Sequence, residues 1–126
     1  MRLVIDGRLP GLNEYTKACR SNRGWQAGAK MKEEAEAQVI GAILTQLKGV
    51  RFPGSVYITF TWIEPNSKRD LDNVCFAKKF ILDALVKCGV LTNDNRKHVT
   101  GFRDFFEVDK DSPRIEVEIG GKYEKD

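Results

Sequence analysis

Histidine occurs once in the 126 residues, as His98, and cysteine three times, as Cys19, Cys75 and Cys88, with no Cys-x-x-Cys pair among them. So few thiols and imidazoles, so widely spaced, exclude a structural zinc cluster and a disulfide framework, and predict three buried, unreactive thiols. No apolar run approaches the roughly 20 residues that span a bilayer. The opening "MRLVIDGRLP" carries charges where a secretory signal needs an apolar stretch, so a cytoplasmic protein with no membrane partner is expected. With 41% hydrophobic and 31% charged residues, the chain has the composition of a folded globular protein rather than a disordered one. Its length suits a single domain over residues 1–126.

A strong excess of one charge is also missing. The net charge of +3 is too small to announce a polyanion-binding protein. Its distribution says more. Lys17, Arg20, Arg23, Lys30 and Lys32 crowd one early segment, Lys68 and Arg69 form a second cluster, and Arg96 and Lys97 a third. Two readings stand for these clusters: a footprint for nucleic-acid phosphates, or ordinary solvated surface.

Apolar spacing organises the rest. "RLVID" (residues 2–6) reads as a short strand, and the polar stretch Leu12 to Gln26, with Asn13, Tyr15, Trp25 and the first basic cluster, reads as a long functional loop. Met31, Ala35, Val39, Ile43 and Leu47 recur every four residues, which predicts a core helix from about Ala27 to Leu47 ended by Gly49. "SVYITFTWI" (residues 55–63) alternates Val56, Ile58, Phe60 and Trp62 against the other face and predicts a central strand. Val74, Ala77, Ile81, Leu85 and Cys88 predict a second helix stopped by Gly89. Two final strands, His98 to Val108 and Arg114 to Ile119, look like a hairpin around "DKDSP", and residues 120–126 are expected to fray. The sum is an α/β fold, one small domain with a mixed β-sheet packed against two helices.

Within this frame "KRDLDN" (residues 68–73) stands out. Asp70 and Asp72 sit two residues apart where an apolar helical pattern begins. Ionised carboxylates so close repel one another unless cations or donors compensate. Helix capping accounts for one or two of Asp70, Asp72 and Asn73. A hard cation such as Mg²⁺ or Mn²⁺, which prefers carboxylate oxygens, accounts for the pair, with Asp94 in the turn "TNDNR" as a candidate third ligand.

"KRDLDN" followed by "KKFILDALVKCGVLTNDNRKHV" resembles the RusA-like Holliday junction resolvases, marked by an Arg-Asp-x-Asp-Asn motif, a helix ending in Leu-Asp-Ala-Leu and an acidic pair shortly after. "LPGLNEY" is similar to the family's Pro-rich opening, and the resemblance runs from about Leu3 to Ile119. It implies a Mg²⁺-dependent endonuclease, with Mn²⁺ as a substitute, that acts as a homodimer on four-way DNA junctions in recombination and repair. Such resolvases are often carried by phages and prophages. The matching catalytic and metal positions are Asp70, Asp72 and Asp94, and the family's lysine falls on Lys79 or its neighbour Lys78. The DNA-contacting set on this reading comprises Asn13, Tyr15, Lys17, Arg20, Arg23, Lys68, Arg69, Asn73, Arg96 and Lys97. The chain departs from the pattern in two ways: about one extra turn separates the aspartates from "LDAL", and the acidic pair reads Asn93-Asp94.

A straight helix of about 15 residues spans on the order of 22 Å, which would carry Asp94 far from Asp72. An antiparallel helix pairing across a two-fold axis then predicts that Asp94 is supplied by the partner subunit. Two other functions compete with the resolvase: a non-catalytic junction or single-stranded DNA binder, and a nuclease for other branched DNA.

Overall fold

In chain order, the computed structural model, which describes residues 1–126, contains β1 (Arg2–Asp6), α1 (Leu12–Cys19), α2 (Trp25–Gln46), β2 (Val50–Arg51), β3 (Val56–Glu64), α3 (Leu71–Cys75), α4 (Lys78–Lys87), β4 (Val99–Val108), β5 (Arg114–Gly120) and β6 (Glu124–Lys125). Four strands make one mixed sheet in the order β1-β5-β3-β4, with β3 parallel to β4 and antiparallel to β5. Alternation decides which side of β3 is buried. Val56, Ile58, Phe60 and Trp62 are at most 2% exposed, and their register partners Ile115, Val117 and Ile119 on β5 continue the same apolar face. The helices cover that face alone. On the opposite face Tyr57, Thr59, Thr61, Arg103 and Phe105 are exposed or half-buried, and Ile63 at its end is buried. No helix is long and apolar enough to cross a membrane.

The two long helical patterns hold their faces. On α2, Ala35, Val39 and Ile43 are buried as their four-residue spacing requires, and Leu47 just beyond the helix joins them. The α4 end is a Schellman motif: Gly89, at φ 75°, donates to the Val86 carbonyl, and Val90 donates to the Leu85 carbonyl. A buried Glu36 on α2 is clasped by Lys87 of α4 and faces Lys32, which also reaches Asp83 at 3.4 Å. Charge thus joins two helices whose other contacts are apolar.

The structure corrects the sequence reading at five places. The expected loop from Leu12 to Gln26 is mostly helix, because the Asn73 side chain, 60 residues along the chain, accepts from the Asn13 amide and helps to cap α1. The single helix expected from Val74 to Cys88 is bent: Ala77, Lys79 and Phe80 donate to carbonyls three residues back, which tightens the joint between α3 and α4. The fold therefore has three helical units rather than two. The β4-β5 hairpin does not form, since β3 lies between them. Residues 109–113 pass over the end of β3, where the Asp109 amide donates to the Glu64 carbonyl at 2.8 Å. Residues 120–126 do not fray, because β6 pairs with β2, Arg51 holds Glu124 at 2.7 Å and the Tyr123 ring lies 5.6 Å from that of Phe52. Finally, the three cysteines are free and half-buried rather than fully buried.

Removal of Lys122 to Asp126 is expected to lower stability by about 1–2 kcal/mol, through the lost aromatic contact and pairing. The measurement is the urea midpoint of the truncated chain, and an unchanged midpoint would show that the tail contributes nothing.

Candidate active site

The site is built around one guanidinium. Arg69 follows the turn after β3 and binds the Glu64 carboxylate through two bonds, Nε to Oε1 at 2.7 Å and Nη2 to Oε2 at 2.9 Å. Its Nη1 donates to the Leu9 carbonyl at 3.2 Å and to Glu14 at 3.1 Å. Arg8 adds a second pair of bonds to Glu64, at 2.9 and 3.4 Å. Burial pushes the Glu64 carboxyl up, but the hydrogen bonds and charges of Arg69 and Arg8 outweigh it and hold the group below the usual carboxylate range.

Asn73 supplies the second tie. α1 begins at Gly11, which has no side chain to cap it, so the Asn73 Oδ1 accepts from the Asn13 amide at 2.9 Å while Glu14 accepts from the Gly11 amide at 3.3 Å. The packing leaves room for no more than glycine. A Cβ on Gly11 would lie 2.5 Å from Asn73 Oδ1 and 3.0 Å from Arg69 Nη1. Asn73 is 8% exposed and the Arg69 side chain 13%, and the Asn73 Oδ1 and all three guanidinium nitrogens of Arg69 have partners inside the chain. The structure gives them a scaffold role on either side of the aspartates.

Asp70 and Asp72 differ from these neighbours. Asp70 occupies the N-cap position of α3 yet makes no capping bond, and it joins no ion pair. Asp72 accepts only from the Asn73 amide, at 3.0 Å. Both are exposed. Capping therefore consumes neither carboxylate, and both face solvent from a turn fixed on each side by Arg69 and Asn73.

The two lysines are now distinguishable. Lys78 is embedded: its Nζ lies 2.7 Å from Asp104 and 3.9 Å from the centre of the Phe102 ring. Lys79 is exposed and bridges Asp83 at 3.0 Å and Asp94 at 3.3 Å. Its hydrogen bond to Asp83, reinforced by Asp94, raises its pKa and keeps it protonated through neutral pH. Asp94 has therefore folded back to the first turn of its own chain's α4. The expectation that the partner subunit must supply it is corrected, because the bend at Phe76 and Ala77 and the turn after Gly89 replace the straight 15-residue span on which it rested.

Asp104 escaped the sequence reading. It accepts from the Trp62 indole at 2.8 Å as well as from Lys78. Its signal was a carboxylate between Phe102 and Phe106 on the apolar face of a strand. The half-buried Cys75 feels this cluster too: burial first, then the Asp104 charge, raise its pKa, so it stays a thiol and is no nucleophile.

The donor set fits a hard cation at Asp70 and Asp72, because Mg²⁺ takes one or two protein carboxylates and fills its remaining positions with water and substrate phosphate. Asp94 is held by Lys79, and nowhere do three or more His, Cys, Asp or Glu side chains converge.

The expected DNA contacts separate by exposure. Asn13, Lys17 and Arg20 line one open depression on α1 with Leu12, Thr16 and Ser21, and Arg23, Lys68, Arg96 and Lys97 are exposed. Tyr15 is half-buried. Its ring packs 5.4 Å from Phe76 and 6.1 Å from Phe80 and so anchors α1 to the bent helix. Trp25 is 76% exposed, while Lys30 and Lys32 face Glu34 and Asp83.

Glu64→Gln is expected to cost about 3 kcal/mol at pH 7, since it breaks a largely buried ion pair. The depressed carboxyl contributes stability above its unfolded pKa of about 4.3 that is lost as pH falls through the folded value. Urea midpoints should therefore separate variant from wild type at pH 7 and converge towards pH 3. An equal gap at both would show that the ionised carboxylate is not what stabilises the turn. Gly11→Ala is expected to destabilise by about 1–3 kcal/mol through the clash with Asn73, read from the same midpoints.

No protein-family model matches this chain, and no curated protein matches it.

Proposed function

We propose that this chain is a metal-dependent endonuclease for branched DNA, acting on four-way junctions as a homodimer. The observation that carries the reading is the pair Asp70 and Asp72: two exposed carboxylates without cationic partners, on a turn that a buried ion pair and a helix-capping amide hold rigid. Paired free acids on a fixed turn serve no stability purpose here and suit a hard cation. Mg²⁺ or Mn²⁺ bound there would supply Lewis-acid charge at a scissile phosphate and an activated water.

The chain's own groups add the rest. Lys79 is protonated and exposed, so it can meet a phosphate oxygen and stabilise developing charge. Asp94 positions that ammonium through their 3.3 Å contact. Lys78 is locked against Asp104 and two aromatic rings, which makes it a fixed contributor to local potential rather than a mobile partner for DNA. Lys17 and Arg20 on α1, with Lys68, Arg96 and Lys97, offer phosphate contacts that read backbone shape rather than sequence. The resemblance of "KRDLDN" and "LDALVKCGVLTNDN" to RusA-like resolvases supports the junction as substrate.

The experiment is cleavage of a labelled synthetic four-way junction in Mg²⁺, with a linear duplex as control. Wild type should make paired nicks in opposed strands, and Asp72→Asn should lower the rate at least about 100-fold while retaining binding, since even outer-shell changes at metal sites cost 10–100-fold. Junction binding without cutting, in both Mg²⁺ and Mn²⁺, would replace the enzyme with a junction-binding protein. Lys17→Ala and Arg20→Ala should each weaken binding evenly across sequences and reduce the log–log salt slope by about 1. An unchanged slope would remove α1 from the DNA surface.

A further inference from the structure

The sheet has two edges, and the chain treats them differently. At β1 the backbone is covered by α2: Gln46 accepts from the Val4 amide at 2.8 Å and donates to the Val4 carbonyl at 2.7 Å, and Gln38 donates to the Asp6 carbonyl at 3.0 Å. At β4 no side chain does this. β4 is the longest strand, ten residues, and it presents Phe102, Phe105 and Val108 at 47, 48 and 58% exposure. A long edge strand with exposed apolar residues pairs with another strand unless something blunts it. Proline, bulges, covering loops and charged side chains do that, and β4 carries the last of these in Arg103, Asp104 and Glu107. Here "VTGFRDFFEV" contains no proline, and its only register irregularity lies at its very start, opposite Val56 and Tyr57.

We infer that β4 is the surface through which two copies of this chain associate, as an antiparallel pair centred on Phe105 that joins both sheets into one. A two-fold axis perpendicular to the sheet keeps each side chain on its own face, so residues of like parity stand opposite one another. The choice among registers follows from charge. Centred on Phe105, Arg103 faces the partner's Glu107 and Glu107 faces the partner's Arg103, with Phe105 against the partner's Phe105 between them. On the helix side, Phe102 stands opposite the partner's Val108. Centring on Asp104 sets aspartate against aspartate, and centring on Arg103 sets arginine against arginine. Centring on Phe106 faces the exposed Glu107 with phenylalanine, whereas the half-buried Asp104 meets an apolar residue in that register and in the Phe105 register alike. Only the Phe105 register matches every exposed charge with its opposite and every exposed apolar residue with another.

A second feature sits at the end of the same strand. Trp62, Leu71, Val74, Phe106 and Val108 line an open cavity of about 300 Å³ beside the Asp70 turn. In the Phe105 register the partner's Phe102 arrives opposite Val108, at the mouth of that cavity. Leu71, adjacent to Asp70, is 57% exposed there. The pairing therefore covers apolar surface next to the candidate active site of each subunit.

This inference takes only its two-copy stoichiometry from the proposed function, and its test measures mass rather than cleavage, so either can fail alone. Light scattering on size-exclusion peaks should give wild type at twice the chain mass. Arg103→Glu and Glu107→Arg alter exposed residues, and circular dichroism should show both folded. Each alone sets like charges against one another across the axis and should weaken the dimer at least 10-fold. An equimolar mixture of the two should recover the dimer mass, because one chain then carries two glutamates and the other two arginines at facing positions. Single variants as dimeric as wild type, or a mixture that stays monomeric, would overturn the register. A wild type that remains monomeric while Arg103→Glu weakens its binding of single-stranded DNA would assign the strand to nucleic acid instead.

Discussion

The Glu64 carboxylate, held by Arg69 and Arg8, is the constraint on which the rest of the site depends. It lies at the end of the central strand, and the two arginines bring to it the segment before α1 and the turn before α3. A carboxylate buried there without cations would cost several kcal/mol. With both guanidiniums in place, the strand end, the Leu9 carbonyl and the α1 acid Glu14 converge on Arg69, one residue before Asp70. Asn73 completes the arrangement from the other side by capping α1 across 60 positions of sequence. The motif that looked like a row of functional residues is thus divided. Its first and last members build the turn, and the aspartates between them remain free.

That division explains how two like charges persist on one turn. The fixed positive charge nearest in sequence, Arg69, is consumed by Glu64 and Glu14, while Lys78 is consumed by Asp104. Only the exposed Lys79 joins Asp83 and Asp94 at the surface, where solvent screens the group. Asp70 and Asp72 tolerate each other because both project into water, which makes them available for a ligand that brings its own positive charge. The bend at Phe76 and Ala77 matters equally, because it aims Lys78 at the sheet and leaves Lys79 at the surface.

The mixed sheet adds a directional argument. α2 and its glutamines close the β1 edge, and the helices close one face, so the chain is finished on those sides. The β4 edge and the open face carrying Tyr57, Arg103 and Phe105 are not closed. The asymmetry is written into composition: glutamines occur where an edge is capped from within, and phenylalanines alternate with opposite charges where it is not. Both β4 and the bent helix pack against Phe60 and Trp62, so events at that edge and at the aspartate turn share one apolar floor.

Periodicity alone determined β1, the buried face of α2, the central position of β3 and the stops at Gly49 and Gly89, because each rests on side-chain spacing or on a glycine at positive φ. The closeness of two like charges marked Asp70 and Asp72 as unusual, while Lys79 was singled out only by the family resemblance. The sequence could not show α1, whose cap comes from Asn73, or the strand β3 inserted between β4 and β5, or the order in the last seven residues. Nor could it separate Arg69 and Asn73 from the aspartates they flank, or find Asp104, whose partners Lys78 and Trp62 lie 26 and 42 positions away. Local spacing fixes which face of an element is apolar; which polar groups are spent and which stay free is decided only when distant segments meet.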